Sequence, residues 1–334
     1  MLAAADFLRT PVLAAVDPAG FKEWHHFVIH GRDCHVLINF SLAARSSADG
    51  PDITPRVVVI AHDERWTGTV ETYEVNAFDV SGDLADLAVG GNRMTMDGDG
   101  YHVRIDLPGI AGHVHFTPTS QPFVVNNQPV GQGRMCWLFV PRLRADGNLT
   151  MGERNHDFDA EYAYHDHNWG RFQWGDDFGW TWGTILPTEN DAKWSMVFLQ
   201  MTDRRRLRFL SQALYVWYDQ RPAAIFRHAA VTVRSHGRFR RPADCTLPPP
   251  MRLLIDGQVP GVPDRLEIDA ARGEDTVHVE FRPSSLAHLA HPSEVALDRV
   301  TVLCETGGTA EIRGRIAGRT VDVTADAIFE FLHG

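Results

Sequence analysis

The 334-residue chain is 44% hydrophobic and 22% charged, a globular balance in a chain long enough for two domains. Its formal net charge of −11 denies it the basic stripe that nucleic-acid binding needs and disfavours docking on anionic lipid headgroups. The four cysteines, Cys34, Cys136, Cys245 and Cys304, form no CxxC pair, which argues against a zinc ribbon or redox motif and fits a reducing, cytoplasmic setting.

The N-terminal stretch MLAAADFLRTPVLAAVDPAG is mildly apolar. It lacks a basic n-region and is interrupted by Asp6 and Arg9, unlike a signal peptide. No run of about 18 apolar residues marks a membrane span. Residues 2–16 carry helical periodicity, and 284–297 is the only other such stretch. Trp24 opens WHHFVIHGRDCHVLINFSL, two apolar strands around a polar turn, and Trp24-His25-His26 reads as core packing at a strand start. Tyr101, Val103, Ile105 and Leu107 alternate with His102, Arg104 and Asp106, the period of a half-buried strand. Asp97-Gly98, Asp99-Gly100, Asp146-Gly147 and Asp256-Gly257 are hairpin-type dipeptides. Asp176-Asp177 and the basic run Arg204-Arg205-Arg206 read as solvated turns. Val277, Val279 and Phe281 form another alternating strand.

Many short strands with regular turn signals predict an all-β protein. Trp180 opens WTWGTILPTENDAKWSMVFLQM, which repeats the Trp24 pattern 156 residues later. The echo suggests two tandem β-domains of similar plan, 1–174 and 175–334.

Between Glu161 and Trp182 the chain packs four of its nine tryptophans around His165, Asp166, His167 and Asn168. Successive strand side chains point to opposite faces. Tyr162, Tyr164, Asp166 and Asn168 therefore share one face, and His165 and His167 the other. Trp180 and Trp182 share a face of the next strand, and Trp137 and Phe139 one of an upstream strand. If these faces converge, Asp166 sits in an aromatic box. Desolvation by rings favours the neutral acid, a proton donor, and ring faces attract cations. The same aspartate can equally be ionised and satisfied by hydrogen bonds. Both readings stand at this level.

The His165–His167 pair, and likewise His113–His115, has the i, i+2 spacing with which strand histidines bind metal. A cupin would place a carboxylate four residues after the second histidine, where this chain has Arg171, so the expectation is no metal, with His165 and His167 as the weak alternative. No GxSxG elbow, P-loop or Rossmann fingerprint is present, and no cofactor is expected.

Tyr164-His165-Asp166-His167-Asn168-Trp169-Gly170, followed by Trp180-Thr181-Trp182-Gly183, resembles the signature of the carotenoid 1,2-hydratase (hydroxyneurosporene synthase) superfamily, which includes AttH-like proteins. Outside this signature the likeness covers the two hairpin starts and the C-terminal GRTVDVTADAIFEF strand. The resemblance implies two tandem lipocalin-like domains, Asp166 as proton donor, and Tyr164 as the aromatic beside it. It places Trp137 and Phe139 at a pair of aromatic positions. Two tryptophans stand there in the hydratases, so Phe139 keeps a ring and loses an indole N–H. The chain is shorter than the carotenoid hydratases, which argues against a long polyene. The superfamily also holds cyclases and pericyclases, so membership leaves the reaction open.

Together these readings predict a cofactor-independent hydratase or cyclase acting on an apolar, unsaturated, isoprenoid substrate, in a β-lined cavity near the domain junction. Asp166, Tyr164 and Asn168 form the catalytic group. Trp137, Phe139, Trp169, Trp180, Trp182 and Tyr162 line the substrate. The alternatives are a pericyclase or isomerase, or a non-catalytic binder of lipophilic ligands. Substrate uptake through transient membrane association is a further expectation.

Overall fold

The structure, a computed structural model, describes residues 6–81, 85–98, 100–187, 193–239, 245–246, 261–296 and 298–333. Asp256-Gly257 and Asp99 lie outside the described residues. The chain divides into two compact units, Met1–Asp63 with Thr67–Phe172, and Glu64–Trp66 with Gln173–Gly334. The architecture is all-β, two tandem lipocalin-like units. Among the described residues no helix is long and apolar enough to cross a membrane.

In the first unit a short helix, α1 (Thr10–Val16), precedes β1 (Phe21–His30), β2 (His35–Ser47), β3 (Gly50–His62), β4 (Trp66–Thr72), β5 (Phe78–Val80) and β6 (Asp86–Val89). Then come β7 (Asn92–Met96), β8 (Tyr101–Leu107), β9 (Ile110–Pro118), β10 (Phe123–Val130), β11 (Gly133–Met151) and β12 (Arg154–Arg171). The strands run antiparallel in the order β4-β3-β2-β1-β12-β11-β9-β8-β7-β6-β5, with β10 paired to β11. The first strand thus pairs with the last, which puts β12 in the middle of the sheet. The expected alternation of β8 is realised: Tyr101, Val103, Ile105 and Leu107 are buried, and His102, Arg104 and Asp106 are exposed. They join Phe27, Ile38, Phe40, Phe116, Leu138 and Val140 in one core. Each such side chain, once fully buried, contributes about 1.5–3 kcal/mol.

The second unit repeats the plan with β13 (Gly179–Ile185), β14 (Trp194–Thr202), β15 (Phe209–Tyr218), β16 (Arg221–Arg227), β17 (Val231–His236), β19 (Arg265–Arg272), β20 (Asp275–Pro292), β21 (Val300–Ile316) and β22 (Arg319–His333), while the two-residue β18 (Cys245–Thr246) is not part of this sheet. The order is β16-β15-β14-β13-β22-β21-β20-β19-β17, so β13 pairs with β22 as β1 pairs with β12. Phe198, Phe281, Phe329 and Phe331 centre its own core.

Four local expectations differ from the structure. The helical reading of 284–297 gives way to β20, whose residues to Pro292 pair with β21. The ladder to β21 pairs the backbone groups that face it, and tertiary pairing overrides a weak propensity. Among the described residues of the N-terminal stretch, the helix spans Thr10–Val16, started by a proline in its first turn. Asp146-Gly147 makes no hairpin turn. It sits inside β11 at a register shift between Ala145 and Gly147. Gly147 has φ +136°, and a Cβ there would meet His113 O at 2.2 Å, so the glycine serves a bulge under close backbone approach. Asp97-Gly98 does join β7 to β8, where Asp97 Oδ1 accepts from the Gly100 N–H at 3.1 Å. In the Arg204–Arg206 turn, Arg206 is not simply solvated, because its guanidinium donates to Trp180 O at 2.9 Å and to Thr181 Oγ1.

Candidate functional site

Strand β12 is a central strand, laddered to β1 and β11, and alternation gives it two chemically different faces. In register, Asp166 stands opposite His26 on β1 and Phe139 on β11. Asn168 stands opposite Trp24 and Trp137, and Tyr164 opposite Val28. Tyr164, Asp166 and Asn168 share a face as alternation predicts, and because registered partners share a face, Trp137 and Phe139 join them. All five are buried, Asp166 at 5% and Asn168 at 4% exposure, yet none belongs to the unit's hydrophobic core.

The carboxylate is held by its own strand. Tyr164 Oη lies 2.9 Å from Asp166 Oδ2, and Asn168 Nδ2 donates to Asp166 Oδ1 at 2.5 Å. Both partners are two residues away, the spacing that puts side chains side by side on one face. Trp137 packs on Phe139 with ring centroids 4.4 Å apart, and Phe139 stacks toward Tyr164 at 6.5 Å. Just past Phe139 the β11–β12 register shifts between Val140 and Leu143, a bulge that re-aims the strand beside the site. Tyr162 is buried further along, its hydroxyl accepting from Arg144 at 2.9 Å beneath a cation–π contact of 3.7 Å.

His26 is a member of this face that the sequence reading assigned to core packing. Burial and the neighbouring His165 push its pKa down to about 3, so it is a neutral imidazole beside Asp166. Its signal was the i, i+2 spacing from Trp24, which acquires meaning only once β1 is registered against β12.

The opposite face carries His165, His167 and Trp169. Trp169 is therefore separated from the Asp166 group. It packs against the first unit's core, with the Arg9 guanidinium 4.0 Å from its ring centroid. His165 and His167 are wholly buried and meet Asp6, which bonds His165 Nε2 at 3.1 Å and also His167 Nδ1. His167 Nε2 lies 2.7 Å from Glu23 Oε1. Glu23 also caps α1, accepting from the Arg9 and Thr10 amides at 2.6 Å each and from the Thr10 hydroxyl. Burial alone would lower the His167 pKa, but Asp6 and Glu23 outweigh it and raise it. Burial likewise opposes ionisation of Asp6, and His167 and His25 overcome it, holding Asp6 well below the usual carboxylate range. The second HxH pair, His113 and His115 on β9, faces outward, His113 exposed and His115 stacked on His102 at 4.2 Å.

Trp180 and Trp182 lie on β13 of the second unit, each 6% exposed and outside that unit's core. Trp180 Nε1 donates to Glu330 on β22, and Glu330 is registered between Trp182 and Glu305 of β21. Burial raises the Glu330 pKa against its hydrogen bonds with Glu305 and Trp180. This buried acidic pair was not anticipated. No local motif marks Glu305 or Glu330, which are brought together by strand pairing alone.

No family model matches the chain, and no curated protein matches it in sequence. Solved structures do match over nearly its full length. A putative AttH (NE1406) from Nitrosomonas europaea is 13% identical, with 94% of this chain and 92% of that one covered at a TM-score of 0.64. Kievitone hydratase from Nectria haematococca is 12% identical over 100% and 92%, TM-score 0.57. CghA is 11% identical over 95% and 88%, TM-score 0.63. These likenesses define the class of fold, the tandem lipocalin-like architecture shared with AttH-like and hydratase structures.

Proposed function

We propose that the chain is an enzyme of the hydratase or cyclase kind that acts on an apolar, unsaturated, isoprenoid substrate with Asp166 as general acid. The observation that carries this reading is a buried carboxyl group, flanked by Tyr164 and Asn168 and faced by Trp137 and Phe139, on a sheet face that is not core. The kinds of protein that share the fold, a hydratase among them, support it.

The geometry suits proton transfer to carbon. With the proton on Oδ2, the Tyr164 oxygen accepts from Asp166, and Asn168 holds Oδ1. As the proton leaves for the alkene, Tyr164 rotates its O–H to donate, and both neighbours stabilise the carboxylate left behind. The adjacent rings then face the carbocation, each worth about 2 kcal/mol when desolvated. His26, being neutral, sets no charge against it. Capture by water yields an alcohol, and capture by a second alkene yields a ring. No cofactor enters these steps.

The test is turnover of a panel of isoprenoid alkenes in deuterium oxide. The acid reading expects one deuterium at the protonated carbon of the product and loss of turnover in Asp166→Asn with substrate affinity kept. Product formation surviving that substitution excludes Asp166 as the donor. A second reading, a lipophilic-ligand carrier or a pericyclase pocket, is favoured by the same hydrogen bonds, which satisfy Asp166 in its ionised form. Binding without deuterium incorporation in the wild type would establish it.

A further inference from the structure

We infer that the face of β12 opposite Asp166 holds a divalent first-row transition-metal ion, ligated by Asp6, His25 and His165. The site goes beyond the acid chemistry proposed above, because it lies on the core side of the sheet and shares no residue with it.

His165 Nδ1 lies 3.0 Å from His26 O, and a carbonyl oxygen only accepts, so Nδ1 carries the ring proton. The remaining nitrogen, Nε2, then presents a lone pair. It faces Asp6 Oδ2, another acceptor, at 3.1 Å. A cation between them resolves that opposition. Donation of the distal N–H to a backbone carbonyl is also how metal-bound histidines are oriented.

His25 is the independent observation. It is fully buried, and neither ring nitrogen has a hydrogen-bond partner among the described residues. Its ring stacks on His167 at 3.8 Å and runs parallel to His165 at 5.6 Å. Buried polar atoms are almost always satisfied, and the one lone-pair nitrogen of a neutral His25, beside a carboxylate and a second imidazole, is a ready metal donor. One donor atom from each of Asp6, His25 and His165 lies within 4.8 Å of the others. Donors on an ion at about 2.0–2.1 Å sit about 3.4 Å apart, so small side-chain rotations close the set.

Two imidazoles and a carboxylate are the donors that zinc and ferrous iron take. Glu23 and His25 with His167 form a neighbouring triad, but Glu23 is already engaged by α1 and by His167. That pair instead positions the ligands, since His167 also bonds Asp6. The sequence lacks a cupin carboxylate after His167, and the fold supplies Asp6, 159 residues from His165. The ion would tie the segment carrying Asp6 to β1 and β12. All three ligands are fully buried, which shields the ion from bulk solvent.

The experiment uses the full chain. Protein stripped with EDTA is dialysed against Zn2+ and, separately, Co2+, then assayed by elemental analysis, visible absorption and thermal melting. One ion per chain, a Co2+ d–d band and a raised melting temperature are expected. His25→Gln and His165→Gln should each weaken Zn2+ binding by more than the roughly 10–100-fold that loss of an outer partner costs. His115→Gln, on the outward HxH pair, should leave it unchanged. Folded wild-type protein that takes up neither ion overturns the proposal, as does uptake abolished by His115→Gln. Should the buried-site variants fail to fold, the wild-type stoichiometry and the His115→Gln control still decide.

Discussion

The two faces of β12 each bury an aspartate contact, and they are built in opposite ways. Asp166 is held by Tyr164 and Asn168, its neighbours along one strand. Asp6 is held by His165, His167 and Tyr101, which the chain brings to it from 95 to 161 residues away. A carboxyl group supported locally can be changed without loosening the fold, and one supported by tertiary contacts cannot. The first arrangement suits chemistry and the second suits architecture.

The sharpest test of that contrast is Asp166→Asn. Loss of a general acid should lower turnover by about 10²–10⁴-fold while the urea midpoint barely moves. A collapse of the fold would erase the distinction between the faces. Asp6→Ala should do the reverse and destabilise the first unit by about 3–5 kcal/mol, because it strips a buried network of its partner. Equilibrium unfolding followed by tryptophan fluorescence measures it, and a loss below about 1 kcal/mol would show that Asp6 is dispensable. Tyr164→Phe should cost only about 1 kcal/mol of stability, one hydrogen bond, while still slowing turnover. Equal activity in this variant would remove Tyr164 from the proton path.

The second unit extends the comparison to Glu330, which like Asp6 is held from afar. Its pKa is raised above the usual 4.5 by burial, so the folded state binds the proton more tightly than the unfolded chain. Its stabilising contribution is full below about pH 4.5 and is lost as pH rises through the elevated folded value. Glu330→Gln should flatten that part of the melting-temperature profile. An unaltered profile would mean that Glu330 does not titrate in this window.

How far the sequence reached depended on the range of the interaction. The Tyr164–Asp166–Asn168 face was legible because strand alternation is a property of adjacent residues. The same rule places Trp169 with His165 and His167, so its separation from Asp166 was implicit in the spacing. The grouping of Trp137 and Phe139 with Asp166 needed the β11–β12 register, and His26 needed that of β1. The helical reading of 284–297 failed where local periodicity met a ladder with β21.

The sequence by itself determined the all-β class, the tandem plan and one face of the candidate site, since period-two patterning and turn chemistry act over a few residues. Only the tertiary structure decided the surroundings of His165 and His167. Asp6, Glu23, His25 and Tyr101 reach them through burial and strand pairing across the unit. Glu305 and Glu330 meet for the same reason. Contacts between distant segments depend on register and core packing, which no short motif encodes.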